Sequence, residues 1–413
     1  MTREPLCHTF ASKASTEGVP MTNKLRITVT ATVAALAIVA AACGSSDRVD
    51  KTAETFTPDL TIGVGEQQPL AEEVEPGDVD PGDVESDANP VPPPSSFSEV
   101  DPAFEAATNS ILEQGRAVAD ELVAGDAAAI HAKFDAAFQA QLSQEEMVAT
   151  LAELTSQAPL KERGADRAHS LSSALQFYQA ELGWGEGIMT ITASFNEAGE
   201  ISGLLLAPQT PLPADPAAEY ESTVEYRLPF DGLWYVAWGG DTVVENYHVV
   251  SRDQRHAFDI MVWKDGATHA GDGSANEDYW AYGQPVLAPA GGTVVTAVDG
   301  LPDQAPQTET DTLNPAGNHV VIEVADGEYV LIAHMQSGSL TVAEGDVVVS
   351  GQQIGLVGNS GNTSEPHIHI HAQDRAIFDP MANGLPLDFA GYAANGTDVE
   401  VGRPVGGQFV AHS

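Results

Sequence analysis

The sequence predicts a multidomain chain that ends in an all-β, barrel-like antiparallel sheet, preceded by a small α+β unit and an acidic disordered linker. Three observations carry this. From about residue 220 the apolar residues alternate in short runs separated by Gly-rich turns, as in "GTVVTAV" and "NHVVIEVADGEYVLIAH". Between 100 and 208 helical spacing gives way to alternation. Between 43 and 99 the chain is rich in Pro, Asp, Glu and Gly and poor in large apolar residues.

The first 42 residues read as a signal peptide. Lys24 and Arg26 precede an apolar run from Ile27 to Ala42, shorter than the ~20 residues a spanning helix needs. Met21 lies next to that charged segment and is the expected start, so residues 1–20, with Cys7, are expected to be untranslated. "AAACGSS" resembles the cleavage site of a bacterial lipoprotein, with Ala40 in place of the usual Leu three residues before Cys43. The resemblance implies lipid on Cys43 and a location on the extracellular side of the cytoplasmic membrane; the alternative is ordinary secretion with a coincidental Cys. A mature chain from Cys43 holds one cysteine, which excludes an internal disulfide and a cysteine-based zinc site.

Residues 43–99 include "PGDVDPGDVE" and "NPVPPPSS", and self-repulsion should keep them extended. The whole sequence holds 17 basic and 60 acidic residues, a net charge of −43, so nucleic acid and anionic membrane surfaces are poor partners.

In the 100–208 unit, Ile111, Ala117, Val118, Leu122, Ile130, Phe134 and Phe138 follow helical spacing. "SQEEM" places Glu146 three residues after Ser143, a capping box that opens a further helix. Met189, Ile191, Ala193 and Phe195 then alternate on one face, "NEAGE" turns, and "ISGLLLAP" returns. "LVAGDAAAIHAKFD" and "ISGLLLAP" are similar to NTF2-like or cystatin-like domains; His131 and His169 are expected at the unit's surface. A Pro-rich connector, 209–219, leads to the all-β region, 220–413, where "VADGEYV" predicts a hairpin on an Asp-Gly turn.

Nine of the twelve histidines follow residue 247, which is where chemistry is expected. "PHIHIH" puts His367, His369 and His371 on one strand face and Ile368 and Ile370 on the other. Zinc takes imidazole nitrogen, with three protein ligands and a water in catalytic sites. Three such histidines spread over about 13 Å, so they cannot all reach one ion and further ligands must come from elsewhere. His371 is expected to support the site from behind. His319, His269 and His412 are read as ordinary strand, insertion and terminal residues, and the Gly-rich insertion holding His269 as a wall of the cleft.

"GNSGNTSEPHIHI", "GQPVLAPAGGTVVTAVDG" and "GNHVVIEV…LIAH", over roughly 233–380, closely resemble the lysostaphin/LytM-type zinc endopeptidases. That resemblance implies a LytM-type β-fold, a Zn2+ cofactor and a peptidoglycan peptide substrate. It implies His369 and Asp259 as metal ligands, and His334 and His367 as base, orienter or oxyanion stabiliser. The family's His-x-x-x-Asp is broken here, since Arg255 stands four residues before Asp259. His248, eleven residues upstream in "ENYHVVSRDQRHAFD", is the preferred first ligand and His256 the alternative. The expected function is zinc-dependent hydrolysis of stem or cross-link peptides; the alternative is a catalytically inactive LytM-like module that binds the wall or regulates other wall hydrolases. Partners in the cell-wall machinery stay open.

Overall fold

The computed structural model describes residues 102–172 and 175–412. The signal segment, Met21, Cys43 and the acidic tether lie outside the described residues.

The described chain opens with helices α1 (Pro102–Ala124), α2 (Ala127–His131), α3 (Ala136–Gln141) and α4 (Gln144–Gln157). Ile111, Val118 and Leu122 lie on the buried stripe of α1, seven and four residues apart as one helix face requires. At the start of α4 the Ser143 hydroxyl accepts from Glu146 N while the Glu146 carboxylate accepts from Ser143 N, the capping box that the sequence announced. Strands β1 (Leu160–Ser172), β2 (Leu175–Trp184), β3 (Gly187–Phe195) and β4 (Ile201–Pro208) follow as an antiparallel meander in chain order. Met189, Ile191, Ala193 and Phe195 of β3 are all buried, against Ile111, Leu122 and Ile130 of the helices.

From residue 233 the regular elements are strands and two short 3-10 turns. An antiparallel sheet is built from β5 (Leu233–Trp238), β6 (Phe258–Met261), β8 (Gly292–Val298), β9 (Asn318–Ala325), β10 (Glu328–Met335), β11 (Val347–Val348), β13 (Ile368–Gln373), β15 (Phe389–Ala394), β16 (Thr397–Gly402) and β17 (Phe409–His412). Its order is β11-β8-β9-β10-β13-β6-β5-β17-β15-β16, and β14 (Gly384–Leu385) adds to β13. β7 (Pro285–Leu287) pairs separately with β12 (Gln353–Leu356). Gly327 at φ +76° closes the β9–β10 hairpin, the left-handed position an Asp-Gly turn needs. A second core gathers Phe230, Trp234, Phe258, Ile322, Ile332, Ile368, Ile370 and Phe389, so β6 and β13 each turn one face inward and free the other for chemistry.

Between helical and β-rich parts, Arg167 of β1 is 3% exposed. Its guanidinium donates to the carbonyls of Ala237 (2.8 Å), Glu245 (3.1 Å) and Val244 (3.4 Å) and to His169 Nδ1 (3.1 Å). It also lies 4.8 Å over the Trp238 ring. His169 is therefore not a surface residue, contrary to the sequence expectation. It is buried, stacked on Phe177 at 4.2 Å, because β1 places its inward-facing positions under the β-rich part.

Candidate metal centre

β13 lies between β10 and β6, and the register sets His369 directly opposite Asp259 on β6. Directly opposed residues on neighbouring strands share a face at about 5 Å between their Cβ atoms. Phe258 and Ile260 go into the core, and Asp259 turns out with His369. The outcome is a contact of 2.7 Å between His369 Nδ1 and Asp259 Oδ1. His367, two residues back on the same face, brings Nε2 to 3.5 Å from the same oxygen.

His248 arrives from a single 3-10 turn, Tyr247–Val250. Asn246 caps that turn and is fully buried. Its amide nitrogen donates to the carbonyls of Gly240 and Ala257, both at 3.1 Å. Its oxygen is left to accept from His248 N (3.1 Å) and His248 Nδ1 (2.8 Å). The proton of His248 therefore sits on Nδ1, and the Nε2 lone pair faces Asp259 Oδ2 at 3.5 Å. His256 goes elsewhere. Its Nε2 meets Asp215 Oδ2 at 3.1 Å and its Nδ1 lies 3.8 Å from Asp241, in an ion-pair cluster with Arg403. Of the two candidates for the first ligand, His248 is the one brought to Asp259.

His334 closes the opposite side. It has φ +60°, a conformation that costs a side chain of this kind about 1–3 kcal/mol, at an irregularity in the β9–β10 pairing. Its Nδ1 donates to the carbonyl of Ser360 at 2.8 Å, and His367 Nδ1 donates to the carbonyl of Glu365 at the same distance. Each ring is thereby held by backbone at one nitrogen and keeps Nε2 for the cleft. The "GNSG" stretch makes this approach feasible: a Cβ on Gly358 would fall 2.3 Å from the Gln336 backbone, and Gly361 sits at φ +92°. The rings of His334 and His367 are 4.9 Å apart.

Electrostatics follow from burial and proximity. Burial pushes Asp259 up, but the charges of His248 and His367 and the hydrogen bonds from His367 and His369 outweigh it, holding the carboxyl well below its usual range. Burial first, then the His369 and His367 charges, lowers His248 to about 4 against the pull of Asp259. His334 is pushed well below its ordinary value by burial and by both neighbouring histidines. For His367 burial is overcome by Asp259, and its pKa rises.

Two overlapping groups have ligand atoms within 4.8 Å of one another: His248, Asp259 and His369, and His334, His367 and His369. The first fits a zinc ion better. It offers two imidazoles and a carboxylate that offsets a dication, a donor set with three protein ligands, as in catalytic zinc sites. It also contains the shortest contact of the cluster, His369 Nδ1 to Asp259 Oδ1 at 2.7 Å. All three residues are at least 95% buried.

Residues 278–380 match the model of peptidase family M23. His334, His367 and His369 lie inside the M23 match, whereas His248 and Asp259 precede it. No curated protein matches the chain. Among solved structures, the chain is similar to the catalytic domain of lysostaphin from Staphylococcus simulans, at 24% identity over 27% of this chain and 78% of that one, TM-score 0.19. It is also similar to a variant of the catalytic domain of the prophage-encoded M23 protein EnpA from Enterococcus faecalis, at 20% identity, 41% and 93% coverage and TM-score 0.21. A zinc-containing peptidase from Vibrio cholerae aligns at 17% identity, over 54% of this chain and 58% of that one, TM-score 0.23.

The sequence reading did not single out Tyr247. Its hydroxyl donates to Asp259 Oδ2 at 3.2 Å, and its half-exposed ring edges Trp238 at 5.1 Å. Nor did it single out Asn246; the signal for it was an Asx residue two before His248, the position of an Asx cap. In the Gly-rich insertion, Thr268 donates to the Glu365 carboxylate at 2.8 Å, two residues from His367.

Proposed function

We propose that this chain is a zinc-dependent endopeptidase that hydrolyses stem or cross-link peptides of peptidoglycan. In this reading His248, Asp259 and His369 hold the ion, and His334 and His367 flank the scissile bond. The observation that carries it is the convergence of His248 Nε2, Asp259 and His369 Nδ1 beside an M23 peptidase domain. Bound zinc would supply Lewis-acid polarisation of the scissile carbonyl and lower the pKa of water from 15.7 towards ~7.

The remaining chemistry falls to the chain. His334 and His367 are each anchored through Nδ1, so Nε2 is where either can take up a proton, release it to the leaving amine or donate to the carbonyl oxygen. Neither ring can turn without abandoning its backbone carbonyl, which keeps both nitrogens aimed into the cleft. No serine or cysteine nucleophile is required. The lipoprotein-like "AAACGSS" supports anchoring through Cys43 on the outer side of the membrane, where peptidoglycan lies.

The test uses purified protein on isolated peptidoglycan, with and without chelator, and analyses released fragments by mass. About one zinc per chain and zinc-dependent release of peptide fragments are expected, both lost in Asp259→Ala and His369→Ala. Intact peptidoglycan in the presence of zinc-loaded protein would refute the enzymatic reading.

A further inference from the structure

Behind His369 the same strand face continues inward. His369 Nε2 lies 3.0 Å from His371 Nδ1, and His371 Nε2 lies 3.0 Å from Gln373 Oε1. The Gln373 amide nitrogen donates to the carbonyls of Arg375 (2.7 Å) and Ile377 (2.6 Å). His371 and Gln373 are both fully buried.

The protons of this row can be placed one after another. Two backbone carbonyls can only accept, so the amide nitrogen of Gln373 must face them and its oxygen must face His371. An amide oxygen can only accept, so His371 carries its proton on Nε2. A charged His371 would sit fully buried with only a neutral amide and an imidazole as hydrogen-bond partners, a costly arrangement, so its Nδ1 keeps a lone pair. That lone pair accepts from His369 Nε2–H. The remaining nitrogen of His369, Nδ1, is then the one aimed at Asp259, 2.7 Å away, and the one a metal ion would take.

We propose that His371 and Gln373 are positioning residues that fix His369 in the tautomer whose Nδ1 is open to the metal. The proposal rests on the zinc reading above and names what prepares one of its ligands. Asn246 does the same for His248 from the other side: a side-chain amide whose nitrogen is committed to two carbonyls presents its oxygen to a ring Nδ1–H. Both imidazoles of the triad are thus set by buried amides before any ion arrives. Outer partners of metal-bound histidines typically contribute 10–100-fold in metal affinity.

Two measurements test the proposal. Long-range 1H–15N spectra of the metal-free protein should show protons on Nε2 of both His369 and His371 and a bare Nδ1 on His371. Zinc affinity, measured by competition with a chromophoric chelator, should fall 10–100-fold in Gln373→Met and His371→Leu. The spectra do not depend on zinc or on a variant folding. A proton on His371 Nδ1 would overturn the relay, as would a folded Gln373→Met that binds zinc as tightly as the parent. Parent protein that binds no zinc would instead overturn the proposed function, and the relay's purpose with it.

Discussion

Replacing Arg167 with methionine should loosen the loop that carries His248 without altering any side chain of the candidate centre. The guanidinium serves three carbonyls and His169, and two of those carbonyls belong to Val244 and Glu245, immediately before Asn246. Glu245 O also accepts from Gly239 N at 3.1 Å, so it is not orphaned by the change. Ala237 and Val244 lose hydrogen bonds to a charged donor, about 1.5–3 kcal/mol each. Methionine in turn avoids the cost of burying a cation that has no ion-pair partner among the described residues, and its thioether keeps apolar contact with Trp238. The net loss should be about 1–3 kcal/mol of folding stability, read by urea unfolding. Zinc affinity should fall several-fold in the same protein, because the segment that places Asn246 and His248 loses its anchor in β1. Arg167→Lys should recover little, since one ammonium cannot reproduce the fork that reaches three carbonyls. If Arg167→Met unfolds at the parental urea concentration and binds zinc with parental affinity, the loop is held by its own Thr242–Glu245 and Asn246–Gly240 bonds, and the reasoning fails.

Three further outcomes are expected. His248→Ala should abolish stoichiometric zinc binding, while His256→Ala should retain zinc and lose only the stability of its contacts with Asp215 and Asp241; metal content by mass spectrometry separates the two. Removing zinc with a chelator should lower the melting temperature, by an amount that corresponds to about 2.7 kcal/mol when free zinc had stood at 100 times its dissociation constant. Burial, reinforced by the Arg167 charge, holds His169 well below 6.5, so the unfolded chain takes up a proton near that pH and the native chain does not. Stability from this residue is therefore complete above pH 6.5 and declines as the pH falls, by at most about 1.4 kcal/mol per unit; His169→Phe should flatten that slope in urea titrations at pH 8 and 5.5.

What was legible in the sequence is what local spacing controls. The Ser143–Glu146 box, the alternation of β3, the turn at Gly327 and the shared face of His367 and His369 each depend on residues within a few positions of one another. β1 was illegible for a physical reason: its inward positions include Arg167 and His169, which look like solvent-facing residues until a second element covers them. Spacing alone left the choice between His248 and His256 open, because neither lies on β6; a 3-10 turn capped by Asn246 is what brings His248 to Asp259. The pairing of Leu233 with Ala411, which completes the sheet beside β6, joins residues too far apart in the chain for any periodic signal.

The β13 strand shows how a period of two becomes a functional order. Positions 367, 369, 371 and 373 share one face but lie at increasing depth, from 8% and 5% exposure to none. They are too widely spaced along the strand to serve one ion together, as the rise per residue dictates. Each instead contacts the next: His367 reaches Asp259 from the cleft, His369 meets that carboxylate directly, His371 contacts His369, and Gln373 contacts His371 and is fastened to the backbone. The histidine repeat that first marks the site is therefore one half cleft and one half support. A strand suits this division better than a helix, because every second residue continues the same line from solvent into the core without turning away from it.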